Sequence, residues 1–252
     1  MRRLLPGAGG SDDATLDDDG LVEAYRLPGG RALRVNFVAS LDGSIAVDGK
    51  SAGLGSPGDR RVFRVLRALA DVVLVGHGTA ATEGYRPVRA GSPVGRLRAA
   101  LDRPPLPIAV VSRRASLDPS SDLVTGAEVP TIVVTCAAAD ADRRRALADA
   151  GAEVLVCGDD DVDLPAAVDA LAGRGLAQVT CEGGAQLLRA ALTAGVVDEL
   201  DLTIAPALVG APLRLLDAAL PSPAALELVQ LLEEDGVLFT RYSVGGGAPG
   251  AR

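Results

Sequence analysis

Two short glycine-containing segments are the parts of this 252-residue chain best suited to chemistry. Residues 72–83 read VVLVGHGTAATE, and residues 178–188 read QVTCEGGAQLL. In each segment an apolar run stops at closely spaced glycines and continues into a helix-like stretch, which leaves backbone N–H groups free to face an anion. Two such strand ends in one chain predict a cradle for a dinucleotide.

Neither segment has the spacing of the common nucleotide-binding loops. The sequence GHGTAA at residues 76–81 lacks the third glycine of a Rossmann fingerprint, and no ribose-binding acid follows the next strand. A Walker loop is excluded because no Gly-Lys-Ser/Thr follows either set of glycines. The sequence therefore favours a cofactor site to which separate strand ends each contribute a part.

The composition is that of a single domain acting on a small molecule. With 48% hydrophobic residues the chain can build a substantial core, and 25 Lys and Arg against 33 Asp and Glu give a net charge of −8. This charge opposes nonspecific binding to nucleic acid or to an anionic membrane. The apolar runs fall well short of the roughly 20 residues of a membrane helix, and the N-terminus lacks a secretory signal. We therefore expect a cytoplasmic protein.

The residues that form metal sites and nucleophilic triads are scarce. His77 is the only histidine, so neither a histidine-rich metal site nor a Ser/His/Asp triad can form except around it. Cys136, Cys157 and Cys181 contain no Cys-x-x-Cys pair and lie at the ends of apolar runs, where free cysteines usually act as small buried hydrophobes. No metal site is predicted.

Short β-branched runs alternate with helix-period segments along most of the chain. Strands are predicted at residues 33–39, 72–75, 108–111, 131–135, 153–156, 178–181 and 200–204. This alternation predicts an α/β fold with a mostly parallel sheet covered on both faces. Residues 225–232 and 236–243 flank Glu233-Glu234-Asp235 and predict an antiparallel hairpin at the edge of the sheet.

The predicted domain occupies residues 31–244. Residues 1–30 contain GAGGSDDATLDDDG, and residues 245–252 read GGGAPGAR. Such stretches rich in Gly and Asp bury too little surface to compensate for the entropy of ordering, so both ends are predicted to be flexible.

The best-defined local element is the helix before the first glycine segment. Ser56 can cap it, Pro57 suits its first position, and Asp59 complements its positive end. One face of this helix carries a basic stripe of three arginines that recur at the helical period: Arg60, Arg64 and Arg67. The stripe is either a solvated face or an anion site for a phosphorylated substrate, and Arg67, near the strand that leads to the glycines, is the better candidate.

Three segments together resemble the reductase domain of the riboflavin-biosynthesis family, whose fold is similar to dihydrofolate reductase. They are VNFVASLDGSIA at residues 35–46, FRVLRALADVVLVGHGTAATEGYRPVR at residues 63–89, and CEGGAQLLRAALTAGVVDELDLTIAPALVG at residues 181–210. The resemblance implies NADPH-dependent reduction of 5-amino-6-(5-phosphoribosylamino)uracil, in which a ribosyl group becomes a ribityl group. It also implies a homodimer.

The resemblance assigns site residues by position. Cofactor contacts fall on Val38, Gly53, Gly76, Gly78, Thr79, Glu83, Gly183, Gly184, Ala185 and Gln186. Substrate contacts fall on Asn36, Ser51, Arg67, Arg86, Arg89 and Glu182. Polar groups expected near the hydride path are Asp42, Glu83 and Glu182. Ser112 and Arg113, followed by Arg114, stand at the end of a predicted strand, where they suit the 2′-phosphate of NADPH.

Two departures from the family pattern leave alternatives open. The chain has no His-x-Glu and Pro-Cys-x-x-Cys zinc signature of a fused deaminase, so a stand-alone reductase without zinc is expected. Gly53 stands where fused enzymes often have Trp, and RPVR at residues 86–89 replaces the more usual LTVR. A different heterocycle such as dihydrofolate or a dihydropterin is therefore an alternative substrate. A nucleotide-binding module without turnover is the alternative from another class.

Overall fold

The computed structural model describes residues 1–5 and 15–245. The strands are β1 Arg2–Leu5, β2 Ala32–Ser40, β3 Val72–Gly76, β4 Ile108–Val111, β5 Ile132–Thr135, β6 Glu153–Val156, β7 Gln178–Cys181, β8 Glu199–Ala205, β9 Leu226–Glu234 and β10 Val237–Val244. The α-helices are α1 Asp18–Tyr25, α2 Pro57–Leu69, α3 His77–Glu83, α4 Pro93–Ala100, α5 Asp122–Thr125, α6 Ala141–Asp149, α7 Leu164–Ala172 and α8 Ala185–Thr193.

One ten-stranded sheet has the order β1-β9-β10-β8-β2-β7-β3-β4-β5-β6. The strands from β8 to β6 in this order run parallel to one another. The pairs β8–β10, β10–β9 and β9–β1 are antiparallel. The predicted α/β architecture, a mostly parallel sheet with helices and a C-terminal antiparallel hairpin, is confirmed.

The hairpin is closed by a two-residue turn. Asp235 and Gly236 both have positive φ, 53° and 80°, and Glu234 pairs directly with Val237. This conformation matches the right-handed twist of the two strands. The predicted position at the edge of the sheet is wrong, because β1 pairs with the outer side of β9.

The N-terminal segment differs from its prediction as a flexible end. Its described parts form β1 and α1, and Met1, Leu21 and Tyr25 are buried in one cluster with residues of α2, β9 and β10. The Met1 ammonium group lies 3.2 Å from the Glu234 carboxylate. The side chains of this segment are therefore buried by residues of α2, β9 and β10, which are distant in the sequence. The composition of the segment alone gives no indication of these contacts. Residues 6–14 and 246–252, which include most of the predicted C-terminal tail, lie outside the described residues.

Helix α2 begins as its sequence predicts. The Ser56 hydroxyl accepts a hydrogen bond from the Asp59 N–H at 3.0 Å, and Pro57 is the first helical residue. The strongly one-sided apolar face of α2 is buried, whereas Arg60 is exposed. This start fixes the first turn of α2 against the sheet.

The two faces of the central strands carry different residues. Leu33, Val35 and Cys181 pack in the cluster that contains residues of α7 and α8. Because side chains alternate along a strand, Asn36 and Glu182 point to the opposite face, where α2 lies. Polar side chains of β2 and β7 are thus directed toward α2.

All three cysteines are buried and free, as predicted. Within the described ranges, every helix is too short or too polar to cross a membrane.

Candidate active site

A cleft of about 970 Å³ opens where β2, β3, β4 and β7 end. The predicted site residues that line it are Asn36, Val38, Ser51, Gly76, Gly78, Thr79, Glu83, Ser112, Arg113, Glu182, Gly184, Ala185 and Gln186. The predicted site residues that do not line it are Asp42, Gly53, Arg67, Arg86, Arg89 and Gly183. The two glycine segments thus meet in one cleft.

The two glycine turns each begin a helix without a side-chain cap. Gly76 is the N-cap of α3 and Gly184 is the N-cap of α8, and at neither helix start does a capping side chain accept a hydrogen bond from the first N–H groups. The Gly76 N–H donates to the Gly183 carbonyl at 2.7 Å, so Gly183 joins the turns although it does not line the cleft. Free N–H groups and the positive helix ends suit this place to an anion.

Glycine is required at this junction by close packing. A Cβ atom on Gly183, whose φ is 80°, would lie 2.3 Å from the Phe37 ring, and one on Gly184 would lie 2.6 Å from the Thr79 hydroxyl. The peptide bond between Gly183 and Gly184 is cis. At Gly78, by contrast, a Cβ atom would meet no protein atom within 4 Å. The space beside the Gly78 backbone is therefore open toward the cleft.

Two arginines and two serines gather after β4. Ser112 is buried, and its hydroxyl accepts a hydrogen bond from the Ser116 N–H at 2.8 Å. The Arg113 side chain is 59% exposed; its Nε donates to the Asp160 carbonyl at 3.0 Å. Arg114 is exposed and also lines the cleft. The cluster can bind a phosphate without first breaking a strong ion pair.

A buried carboxylate forms part of the cleft wall beneath α2. Both oxygens of Glu182 accept hydrogen bonds from Arg67, each at 2.7 Å, and Oε2 also accepts one from the Tyr85 hydroxyl at 2.5 Å. The Arg67 guanidinium lies 4.3 Å from the centre of the Phe63 ring. A bidentate pair with a third hydrogen bond and ring contacts holds the Glu182 side chain in one orientation.

The protonation states within this group follow from burial and charge. Burial opposes the charge of Arg67, but the Glu182 carboxylate outweighs this effect, so the pKa of Arg67 is raised. Burial, together with the negative Glu182, raises the pKa of Tyr85 well above its usual value. Arg67 therefore stays charged, and Tyr85 stays a hydrogen-bond donor.

The arginines predicted to bind the substrate phosphate do not lie in the cleft. Arg67 is engaged by Glu182 and its side chain is only 14% exposed. Arg89 is exposed and pairs with Asp122, with 3.1 Å between the charged atoms, and Arg86 is exposed outside the cleft. The sequence could not reveal the Arg67 pair, because its partner lies 115 positions away.

Asp42 was predicted near the hydride path but lies outside the cleft. Its carboxylate accepts hydrogen bonds from the Ser40 hydroxyl at 2.5 Å and from the Val209 and Gly210 N–H groups at 3.0 and 2.8 Å. These bonds lower the pKa of Asp42 far below its usual value. Asp42 thus ties the loop after β2 to the segment after β8.

Glu83 and Ser51 lie together in the cleft, at the end of α3. The Glu83 carboxylate accepts a hydrogen bond from the Ser51 N–H at 2.9 Å. Gly53 lies outside the cleft, and a Cβ atom there would collide with the Val47 side chain at 2.7 Å. Glycine at position 53 is explained by this contact with Val47.

Several residues that line the cleft were not predicted as site residues. They are chiefly Asp59, Phe63, Tyr85, Asp161, Arg189 and Asp217. Asp59 was interpreted only as a helix-end charge, although its position four residues before Phe63 places both on one face of α2. Arg189 and Asp217 form an ion pair at 2.7 Å between α8 and the long segment before β9, a pairing that no local pattern indicates.

In the described part of the chain, no three or more His, Cys, Asp and Glu side chains form a group that could hold a metal ion.

Comparison with known proteins identifies relatives of this chain. Residues 31–235 match the family described as the RibD C-terminal domain. The chain is 32% identical over 176 residues to a 2,5-diamino-6-ribosylamino-4(3H)-pyrimidinone 5′-phosphate reductase of Methanothermobacter thermautotrophicus; the match covers 70% of this chain and 78% of that protein. It is 29% identical to the riboflavin biosynthesis protein RibD of Bacillus amyloliquefaciens, over 69% of this chain and 45% of that protein.

Solved structures agree with these relatives. A pyrimidine reductase-like protein of Corynebacterium diphtheriae is similar with a TM-score of 0.79 and 30% identity, over 92% of this chain and 100% of that chain. RibD of Acinetobacter baumannii shares the fold, with a TM-score of 0.68 and 20% identity over 86% of this chain and 58% of that chain. The family match covers the cleft, both glycine turns and Glu182, and the chain belongs to the RibD C-terminal domain family.

Proposed function

We propose that this chain is an NADPH-dependent reductase of riboflavin biosynthesis, which converts the ribosyl group of a phosphorylated ribosylaminopyrimidine into a ribityl group. The observation that carries the proposal is a single cleft joining two uncapped helix starts to the oriented carboxylate of Glu182. The reductase name of the Methanothermobacter relative supports it.

The cleft suits NADPH at both of its charged groups. The pyrophosphate would be held by backbone N–H groups at Ala185 and Gln186, where α8 begins without a cap. The 2′-phosphate would be held by Ser112, Arg113 and Arg114. NADPH, when bound, supplies the hydride, and the chain holds the reacting groups together and excludes water.

The substrate would lie on the α2 side, against Asn36, Ser51 and Glu182. The family resemblance implies the uracil form of the substrate, whereas the Methanothermobacter relative is named for the 2,5-diamino form. Both forms carry the ribosylamino group that receives the hydride.

The cofactor assignment is tested by replacing Arg113. Because the 2′-phosphate distinguishes NADPH from NADH, Arg113→Ala should raise the KM for NADPH much more than the KM for NADH, by about tenfold or more for a lost charged hydrogen bond. Steady-state rates with each cofactor measure this. Arg143→Ala, on exposed α6, is the matched control and should change neither KM. Equal changes for both cofactors in Arg113→Ala would contradict the assignment.

A second candidate function is reduction of an unphosphorylated heterocycle such as a dihydropterin. It is favoured by the finding that Arg67, Arg86 and Arg89 all lie outside the cleft. NADPH consumption measured with the ribosylaminopyrimidine phosphate and with dihydrofolate separates the candidates. Turnover of the first substrate is expected; turnover of dihydrofolate alone would support the second candidate. Turnover of neither would support a nucleotide-binding module.

We also propose that the protein acts in the cytoplasm as a homodimer. Leu208, in the segment that follows β8, is 78% exposed. Leu226 and Leu228 on β9 add exposed apolar surface. Exposed apolar surface of this kind is typical of interfaces. Sedimentation equilibrium measures the mass in solution, and a monomer at all concentrations would contradict the proposed dimer.

A further inference from the structure

Asp59 is a carboxylate of the cleft that the proposed reaction has not yet used. It lies in the first turn of α2, and Thr203 of β8 is its polar neighbour. Thr203 pairs in register with Val38, and Asn36 pairs with Asp201 on the same parallel ladder. Asn36, Val38 and Thr203 therefore share the sheet face that α2 covers, and Asp59 faces the substrate side of the cleft.

The charge of Asp59 is only weakly compensated by the protein. Between residues 15 and 245, no Arg or Lys lies within 4.0 Å of its carboxylate, in contrast to Glu182 with its bidentate arginine. Burial raises the pKa of Asp59, and hydrogen bonding by Thr203 together with the positive charge of Arg60 only partly opposes this shift. A partly desolvated carboxylate has lost hydrogen bonds to water. A ligand that donates N–H groups to it therefore gains a large favourable contribution to its binding free energy.

The helix does not need the Asp59 side chain as its cap. The Ser56 hydroxyl accepts the Asp59 N–H at 3.0 Å, which satisfies this end of α2. The carboxylate still interacts favourably with the positive helix end, as other first-turn acids do. That interaction needs no particular direction of the side chain, whereas Asp59 lines the cleft.

The two ring forms of the proposed substrate differ where a carboxylate can recognise them. A 2-amino-4(3H)-pyrimidinone presents its 2-amino group beside the ring N3–H, which gives two neighbouring donors for the two oxygens of a carboxylate. The uracil form has a carbonyl oxygen at position 2, and this oxygen would face the carboxylate as a second acceptor. A site built for a donor strongly disfavours a ligand that lacks it.

We propose that Asp59 accepts the 2-amino and N3–H groups of the pyrimidine, and that the chain therefore reduces the 2-amino form in preference to the uracil form. This inference rests on the proposed reductase function.

The experiment compares the two ring forms with the full-length chain and with Asp59→Asn. The wild type should prefer the 2-amino form in kcat/KM by at least about tenfold, since it gains a charged hydrogen bond. Asp59→Asn keeps the size of the side chain and replaces one acceptor with a donor, which suits the uracil carbonyl. The preference should disappear or invert in this variant, whereas Asp48→Asn, in an exposed loop outside the cleft, should retain it.

Binding of both ring forms to the protein without cofactor, measured by calorimetry, provides a readout independent of turnover. Asp59→Ala provides a second variant, in which the preference should also be lost, and thermal unfolding confirms that each variant is folded. Equal affinity of the wild type for both forms, or an unchanged preference in Asp59→Asn, would overturn the role of Asp59. If neither form is reduced by the wild type but the 2-amino form still binds more tightly, the proposed reaction fails and the recognition by Asp59 stands.

Discussion

The buried Glu182 is the residue around which the proposed substrate side of the cleft is organised. A carboxylate with a 3% exposed side chain is stable only when it is paired and hydrogen-bonded, and Arg67 and Tyr85 provide both. Phe63 and Tyr85 flank the guanidinium, with ring centres 4.3 and 5.3 Å away. In the proposed reaction, Arg67 is therefore a positioning residue, which acts through Glu182.

Replacing Arg67 with lysine should separate positioning from phosphate binding. Lysine offers a point charge instead of two parallel N–H donors, so Arg67→Lys should lower kcat/KM by about ten- to a hundredfold. The measurement uses the substrate with and without its 5′-phosphate, and the loss should be equal for both. Arg64→Lys, one turn earlier and paired with Asp18 in solvent, is the matched control. A loss confined to the phosphorylated substrate would restore the phosphate role predicted from the sequence.

The sequence indicated the backbone parts of the site better than its ion pairs. The glycine turns at Gly76 and Gly184 and the Ser112-Arg113 cluster, predicted as cofactor-binding residues, all line the cleft, and each follows directly from the end of one strand. The pair between Arg67 and Glu182 requires α2 and β7 to pack together. Such a contact depends on tertiary structure, and local spacing gives no sign of it.

At the scale of single elements, the first turn of α2 both stabilises the helix and forms part of the cleft wall. The Ser56 cap fixes the first turn, and this turn carries Asp59 into the cleft. The start of α4 offers a comparison, since Ser92 accepts the Gly95 N–H at 3.0 Å in the same way but α4 does not line the cleft. The two caps are chemically alike and differ in what they position.

Removing each cap should therefore have different consequences. Ser56→Ala and Ser92→Ala should each lower the free energy of unfolding by about 1 kcal/mol, measured by urea denaturation. Only Ser56→Ala should also lower kcat/KM, because it loosens the turn that carries Asp59. Equal effects of the two variants on catalysis would show that the α2 cap serves stability alone.

Elements with strong local signals were predicted, and those that depend on distant partners were not. The Asp235-Gly236 turn and the Ser56 cap follow from short sequence patterns. Strand β1 and helix α1 were missed, because Leu21 and Tyr25 are buried against α2, β9 and β10 rather than within their own segment.

At the scale of the whole molecule, one buried charge network joins the parallel and antiparallel parts of the sheet. Arg34 of β2 contacts Glu199 and Asp201 of β8, at 2.6 and 3.0 Å, and Arg241 of β10 contacts Glu199 at 2.5 Å. Arg34 also donates to the carbonyl of Tyr25 at the end of α1. Two arginines and two carboxylates thus connect four elements in a site shielded from solvent.

Asp201 makes this network sensitive to pH. Burial, together with the negative Glu199, raises the pKa of Asp201 from 3.8 to about 7, although Arg34 opposes the shift. Between these two values the Asp201 side chain of the folded protein holds a proton that the unfolded chain has released. The contribution of Asp201 to folding stability is therefore greatest below the lower value and falls as the pH rises toward the upper one. The slope contributed by one such proton approaches about 1.4 kcal/mol per pH unit.

Asp201→Asn should remove this slope, because the amide stays neutral over the whole range while Arg34 keeps its pair with Glu199. Urea denaturation at a series of pH values measures the free energy of unfolding of both proteins, and the difference between their slopes isolates Asp201 from the other carboxyl groups. Asp149→Asn, an exposed position on α6, should leave the slope unchanged. If Asp201→Asn and the wild type lose stability in parallel as the pH rises, Asp201 is ionised in the folded protein, and the network carries two negative charges against its two arginines.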